Sequence, residues 1–268
     1  MTRSIIVLVS QTLHVRRNSL IAWSVSLATL VIMYVALFPS IEKIDLDTLL
    51  EAYPKELLRA FGFDETKTQL DTAIGFLNTE LFGFILPLAI VFLPTGVVVH
   101  MTSRAEERGY LDALLSAPIA RWQLMVAAVL TATAALTIPI VTMIVVALAA
   151  AQISGVDLTL SQIGGSGLSL LPIGALAGSI ATLVVGTSRR HGMAFAVAAG
   201  MIVVFYLMNV LAGFLRFFDD IKSLSIFHHY TDWINAGIDW PSFMAFLGIA
   251  VMLTVIGAVL FERRDVGA

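Results

Sequence analysis

Six apolar runs, each about as long as a bilayer is thick, decide what this chain can become. They are Leu20–Phe38, Thr79–His100, Leu124–Ala151, Gly164–Thr187, Met193–Leu215 and Pro241–Phe261. A helix of about 20 apolar residues satisfies its own backbone in hydrocarbon, where a lone strand or loop cannot. The middles of these runs hold no Asp, Glu, Lys or Arg. Composition agrees, since only 13% of residues are charged, about half of what a soluble domain carries. The expected fold class is therefore an all-α integral membrane protein with about six transmembrane helices. The 268 residues read as one membrane domain, with no internal repeat and no low-complexity linker.

The polar stretches between the runs have patterns of their own. In Thr2–Val15, Ile5, Ile6, Leu8, Val9 and Leu13 fall largely on one side of a helix. This predicts an N-terminal helix lying in the interface. Arg16-Arg17-Asn18 then turns the chain into the bilayer, and Pro39 is expected to end the first span. In Ile41–Asn78, Leu46, Leu49, Leu50, Tyr53, Leu57, Leu58 and Phe61 recur at helical spacing opposite charged residues. That predicts an extracellular amphipathic helix, bent at Pro54. Gln152–Ile163 reads as a polar turn, and the glycines of Gly164–Gly167 as a flexible helix start. Arg216–Asp239 reads as an outer loop whose aromatics form an interface belt.

Charge sets the expected orientation. With the N-terminus cytoplasmic, that side holds Arg3, Arg16, Arg17, Arg104, Arg108, Arg121, Arg189, Arg190, Arg263 and Arg264. The other side holds Lys43, Lys55, Arg59, Lys67, Arg216 and Lys222, spread over longer segments. The positive-inside rule then puts both termini in the cytoplasm.

Several chemistries are excluded. There is no cysteine, so no disulfide, thiol nucleophile or thiolate metal site exists. No G-x-x-x-x-G-K-[ST] occurs, so the chain has no P-loop for nucleotide phosphates. His228-His229 with Asp219, Asp220 and Asp232 matches no standard metal spacing. No Ser-His-Asp set is placed for catalysis, which disfavours a membrane enzyme, and nothing points to nucleic acid.

The stretch Met101–Gln123 is the longest polar interruption on the arginine-rich side. Leu111, Leu114 and Leu115 stand at i, i+3 and i+4, on one face of a helix. Charged Arg104, Glu106, Glu107 and Arg108 precede them, and Pro118, Arg121 and Trp122 follow. A short surface helix between two spans is expected, a common arrangement in membrane proteins.

The run Glu106–Arg121 resembles the E-x-x-G-x-L-x-x-L-L-x-x-P-x-x-R stretch of bacterial ABC transporter permeases of the type-2 exporter family. Phe261-Glu262-Arg263-Arg264-Asp265 is similar to that family's F-x-R-R-D ending. The resemblance implies a cytoplasmic coupling helix seated in a groove of an ATP-binding subunit. Glu106, Glu107, Gly109, Leu111, Leu114, Leu115, Pro118 and Arg121 would form or position that contact. It also implies a second permease, identical or paralogous, with ATP and Mg bound on the partner ATPase and no cofactor in this chain. Spans two and five would then line the route, which assigns Glu80, Phe82, Phe84, Met201, Phe205, Tyr206 and Asn209 to the substrate pathway. An exporter of apolar or amphipathic molecules in a bacterial cell membrane follows. The alternative is an ATPase-independent secondary transporter or a membrane sensor. The absence of midplane charge counts against a secondary transporter. Gly174 and Gly178 are spaced to let another helix approach closely, within the subunit rather than at a dimer seam.

Overall fold

The computed structural model describes residues 2–41, 72–107, 120–188, 191–212 and 215–263. The expected extracellular helix of residues 41–78 lies almost wholly outside the described residues, as does the stretch from Gly109 to Pro118. Among the described residues the regular elements are all helical. Six helices are long and apolar enough to cross a membrane.

Helix α1 (Thr2–Val15) precedes α2 (Arg17–Ile41), the first span. Pro39 does not end that span as expected. It lies inside the helix, which runs on to Ile41. Helix α3 (Ala73–Met101) is the second span. It starts a turn and a half before the expected Thr79, capped by Thr72, whose hydroxyl accepts the Gly75 N–H at 3.2 Å. Within α3, Asn78–Ile85 winds as a π-helix. A short break follows at Val91, between Pro87 and Pro94, because Pro94 has no N–H to return to the carbonyl of Ile90. Helix α4 (Ser103–Glu107) follows a bend at Thr102.

The third span, α5 (Arg121–Ser154), continues through Pro139 and ends on Gly155. That glycine takes the left-handed conformation at φ 68°, a common helix stop. The fourth span, α6 (Leu160–Thr187), opens with a capping box in which Thr159 and Gln162 satisfy each other's backbone N–H groups. The connection is therefore shorter than the expected Gln152–Ile163 turn. Gly164–Gly167 is not a flexible start; it lies inside α6, and Gly167 faces Ile144 of α5 so closely that a Cβ would sit 2.7 Å from it.

The fifth span, α7 (His191–Ala212), is followed by α8 (Arg216–Ile221), a 3-10 turn at Lys222–Leu224, and α9 (Ile226–Ala236). The last span is α10 (Trp240–Arg263). The expected aromatic belt between α7 and α10 is corrected here. Phe227, Tyr230 and Trp233 of α9 are almost wholly buried in the core, while Phe217 and Trp240 are exposed.

Helix α6 is the hub. Its most apolar window is 72% buried, against 17% for those of α2, α7 and α10, which form the periphery. A helix apolar on every side needs neighbours on every side, and α6 contacts α3, α5, α7, α9 and α10. Small residues set the distances. A Cβ on Gly174 would run into Leu136 of α5, and one on Gly178 would lie 3.0 Å from Pro94 of α3. This pair packs within the subunit, as its spacing implied. Helices α6 and α10 meet backbone to backbone: a Cβ on Gly257 of α10 would lie 2.7 Å from the Thr182 carbonyl of α6, and one on Gly186 of α6 would lie 2.5 Å from the Gly257 carbonyl oxygen.

Candidate functional site

Two regions carry the side chains singled out in the sequence. The first lies at the arginine-rich end. Helix α3 stops at Thr102, whose hydroxyl donates to the Val98 carbonyl at 2.5 Å. Short helix α4 then carries Glu106, half-buried, and Glu107, exposed. Arg16, at the joint between α1 and α2, donates to the Gly96 carbonyl of α3 at 2.5 Å. Burial, and then the positive charge of Arg104, lower the pKa of the Arg16 guanidinium. Two cations are thus held close at the foot of α3. Arg121 opens α5 and reaches the Glu262 carbonyl of α10 at 3.5 Å. The structure therefore brings Glu106, Glu107 and Arg121 to the same end of the bundle. Gly109, Leu111, Leu114, Leu115 and Pro118 lie outside the described residues.

The second region is the face shared by α3 and α7. Phe84 stacks on Tyr206 with ring centroids 5.5 Å apart, and Phe92 meets Phe195 at 5.6 Å. Phe84, Phe92 and Met201 are each about half exposed. Phe205 and Tyr206 are half-buried against the core. Asn209 is half-buried, with no hydrogen-bond partner for its amide among the described residues. Six of the seven expected pathway residues (Glu80, Phe84, Met201, Phe205, Tyr206 and Asn209) are thus at least partly accessible on these two spans. Glu80 is half-buried in the π segment, within electrostatic reach of Tyr34 on α2. Phe82 is placed differently: it is fully buried, and its carbonyl accepts the Tyr230 hydroxyl at 2.8 Å.

What holds the Ala73 end of α3 was not expected from the sequence. A π-helix leaves backbone groups off the ordinary ladder and marks functional turns in many proteins. Here the partners come from α9 and α6. The Asn78 amide donates to the Ile234 carbonyl of α9 at 2.5 Å, and its oxygen accepts the Ser166 hydroxyl of α6 at 2.7 Å. On the far side of α9, Ser225 donates to the Phe205 carbonyl of α7 at 2.6 Å. So α9 is tied to α3 and α7, and through Asn78 to α6, at the end opposite the arginines. A signal was present: Ile226, Phe227, Tyr230, Trp233 and Ile234 fall at i, i+1, i+4, i+7 and i+8, the stripe of a helix with a buried face.

In chemical terms the site offers an aromatic face with one amide that has no partner among the described residues, joined through α3 to a charged helix end. It contains no cluster of His, Asp or Glu suited to a metal among the described residues. A family model described as multidrug efflux system permease Rv1217c, C-terminal domain, matches residues 10–262. Comparison with curated proteins gives no match.

Proposed function

Because the chain belongs to the family of the multidrug efflux system permease Rv1217c, C-terminal domain, we propose that it is the membrane subunit of an ATP-driven exporter. ATP and Mg bind a separate ATP-binding subunit, and this chain acts as one permease domain over residues 1–268. The family match over residues 10–262 carries this reading. The missing P-loop supports the division of labour, since the phosphates need a cradle from elsewhere. The chain sits in a bacterial cell membrane with both termini cytoplasmic, as the arginine bias favours.

The coupling contact is made by the stretch after α3, with Leu111, Leu114 and Leu115 in a groove of the ATPase and Glu106, Glu107 and Arg121 at its borders. A second permease, identical or paralogous, faces the α3–α7 surface. Cargo moves between the two. Aromatic rings and methionines make an adaptable apolar lining, and Asn209 adds one polar contact. Apolar or amphipathic molecules are the expected cargo.

The test is whether a gene for a Walker-motif ATPase lies next to this one, followed by co-expression of the two, co-purification and transport in vesicles. The two products should purify together and hydrolyse ATP in a cargo-dependent way. Leu114→Asp, which would desolvate a charge at the contact, should leave the permease in the membrane and abolish association. A chain that transports in vesicles without any ATPase sinks the proposal, as does a Leu114→Asp complex that assembles and turns over normally.

A further inference from the structure

Helices α3, α5, α6 and α10 enclose a cavity of ≈ 460 Å³ within the membrane-spanning part of the bundle. Its origin lies in the packing already described. Helix α10 is pinned to α6 where Gly257 meets Thr182. Further along, the facing wall residues are small: Ala175, Gly178 and Ser179 on α6, and Ala250 on α10. Leu136 of α5 closes the opposite wall. Side-chain volume is missing there, and protein interiors do not ordinarily leave such a gap unfilled.

The lining states what would fill it. Five hydroxyl residues line it; Thr133, Thr137, Ser179 and Thr182 each donate to a carbonyl of their own helix, at 2.8–2.9 Å, and the fifth is Thr254 of α10. The donors of those four are therefore spent. No charged side chain lines it. One remaining hydroxyl is too little to replace the water around an ion or a headgroup, whereas hydrocarbon needs no such partner.

The rim states where the occupant comes from. Thr133 of α5 and Val251 and Val255 of α10 line the cavity and are exposed. Beside them Leu130, Val141, Met252 and Val259 are exposed as well. The mouth thus opens into the apolar belts of two spans. Ala250 stands ten residues from Trp240 and thirteen from Arg263. At 1.5 Å per residue that is about 15–20 Å from either end of the helix, near the bilayer centre, where only lipid tails reach.

We propose that this groove is a binding site for one acyl chain of a bilayer lipid, which enters sideways between α5 and α10 and completes their packing. The site is distinct from the α3–α7 surface and does not depend on an ATPase.

The experiment uses the full chain in nanodiscs of phosphatidylcholine doped with a phosphatidylcholine bearing a diazirine midway along one acyl chain. After illumination, labelled peptides are read by mass spectrometry. Label should be enriched severalfold on residues 129–137 and 247–255 over Ile21 and Val25 of α2 and Val145 of α5, which are as exposed as the rim valines. Ala250→Phe and Ala175→Leu each fill the space, and either should erase that enrichment while labelling at α2 persists. Ala175 is only half-buried, so its variant remains informative if Ala250→Phe does not fold. Equal labelling of groove and α2 in the unaltered chain would overturn the proposal, as would enrichment that survives the filling variant. So would an unlabelled groove whose Thr133→Cys variant cross-links two copies of the chain, since a second copy would then cover the mouth.

Discussion

One amide, that of Asn78, joins three helices. It is 4% exposed and bonded on both its nitrogen and its oxygen, to Ile234 and Ser166. Removing it leaves a hydroxyl and a carbonyl without partners. In water-soluble proteins that costs about 1–3 kcal/mol, and in membranes roughly 0.6–2 kcal/mol, because the loosened helices find other partners. Asn78→Ala should therefore lower the thermal midpoint of the detergent-solubilised protein. Ser166→Ala in that background should add less than it does alone, since both act on one bond. Full additivity would show that the two side chains do not work together. Asn78 was not legible in the sequence as a site residue. Its partners lie 88 and 156 positions away, and a polar residue at the end of a polar stretch reads as solvated. Asn209 was legible for the opposite reason: an amide inside an apolar run has no bland place to go.

The elements were read with uneven success, and the cause is physical. Spans are legible because their signal is length and apolarity, which need no neighbour. Their ends are less so: Pro39 and the glycines of Gly164–Gly167 carry turn chemistry, yet both sit within helices. Helix α9 was misread because its aromatics have the composition of an interface belt, and only their spacing tells a buried stripe from a wet one. Packing between elements was legible for Gly174 and Gly178 but not for Gly257, whose partner Thr182 shares no motif with it. Gly257→Val should force α6 and α10 apart at a cost of about 1–3 kcal/mol or more. Gly248→Ala on the same helix meets nothing within 4 Å. It should be neutral or stabilising by up to about 1 kcal/mol. Thermal unfolding of the two variants side by side checks this. A harmless Gly257→Val would refute the close crossing. On the α3–α7 face, Phe205→Ala and Asn209→Ala are expected to change which compounds are exported, or their apparent affinity, while basal ATP hydrolysis persists. Export profiles in vesicles with the ATPase test that, and unchanged profiles for both would remove these residues from the route.

At the scale of the whole molecule, the orientation that the arginine bias favours is open to direct measurement. The chain has no native cysteine, so a single introduced thiol reports without background. Ser223→Cys, exposed on the connection before α9, should react with an impermeant maleimide in intact cells. Ser188→Cys, at the arginine-rich end of α6, should react only after the membrane is opened. The reverse pattern would invert the topology. Helix α3 runs from one of these ends to the other, with Arg16 gripping it at Gly96 and Asn78 fastening it to α6 and α9. From Asn78 toward the other grip run eight residues, Asn78–Ile85, wound with more residues per turn than the rest. A π turn holds one residue more than an α turn, and one residue of an α-helix is about 100° of rotation. The two ends of this span are therefore offset in angular phase, like two keys cut on one shaft. If those residues rewound as an ordinary α-helix, Asn78 would turn away from Ser166 by an angle on the order of 100° and shift along the axis by about 1.5 Å. What the π segment gives this fold is an angular offset: the grip at Gly96 and the fastening at Asn78 are set by different windings of one span.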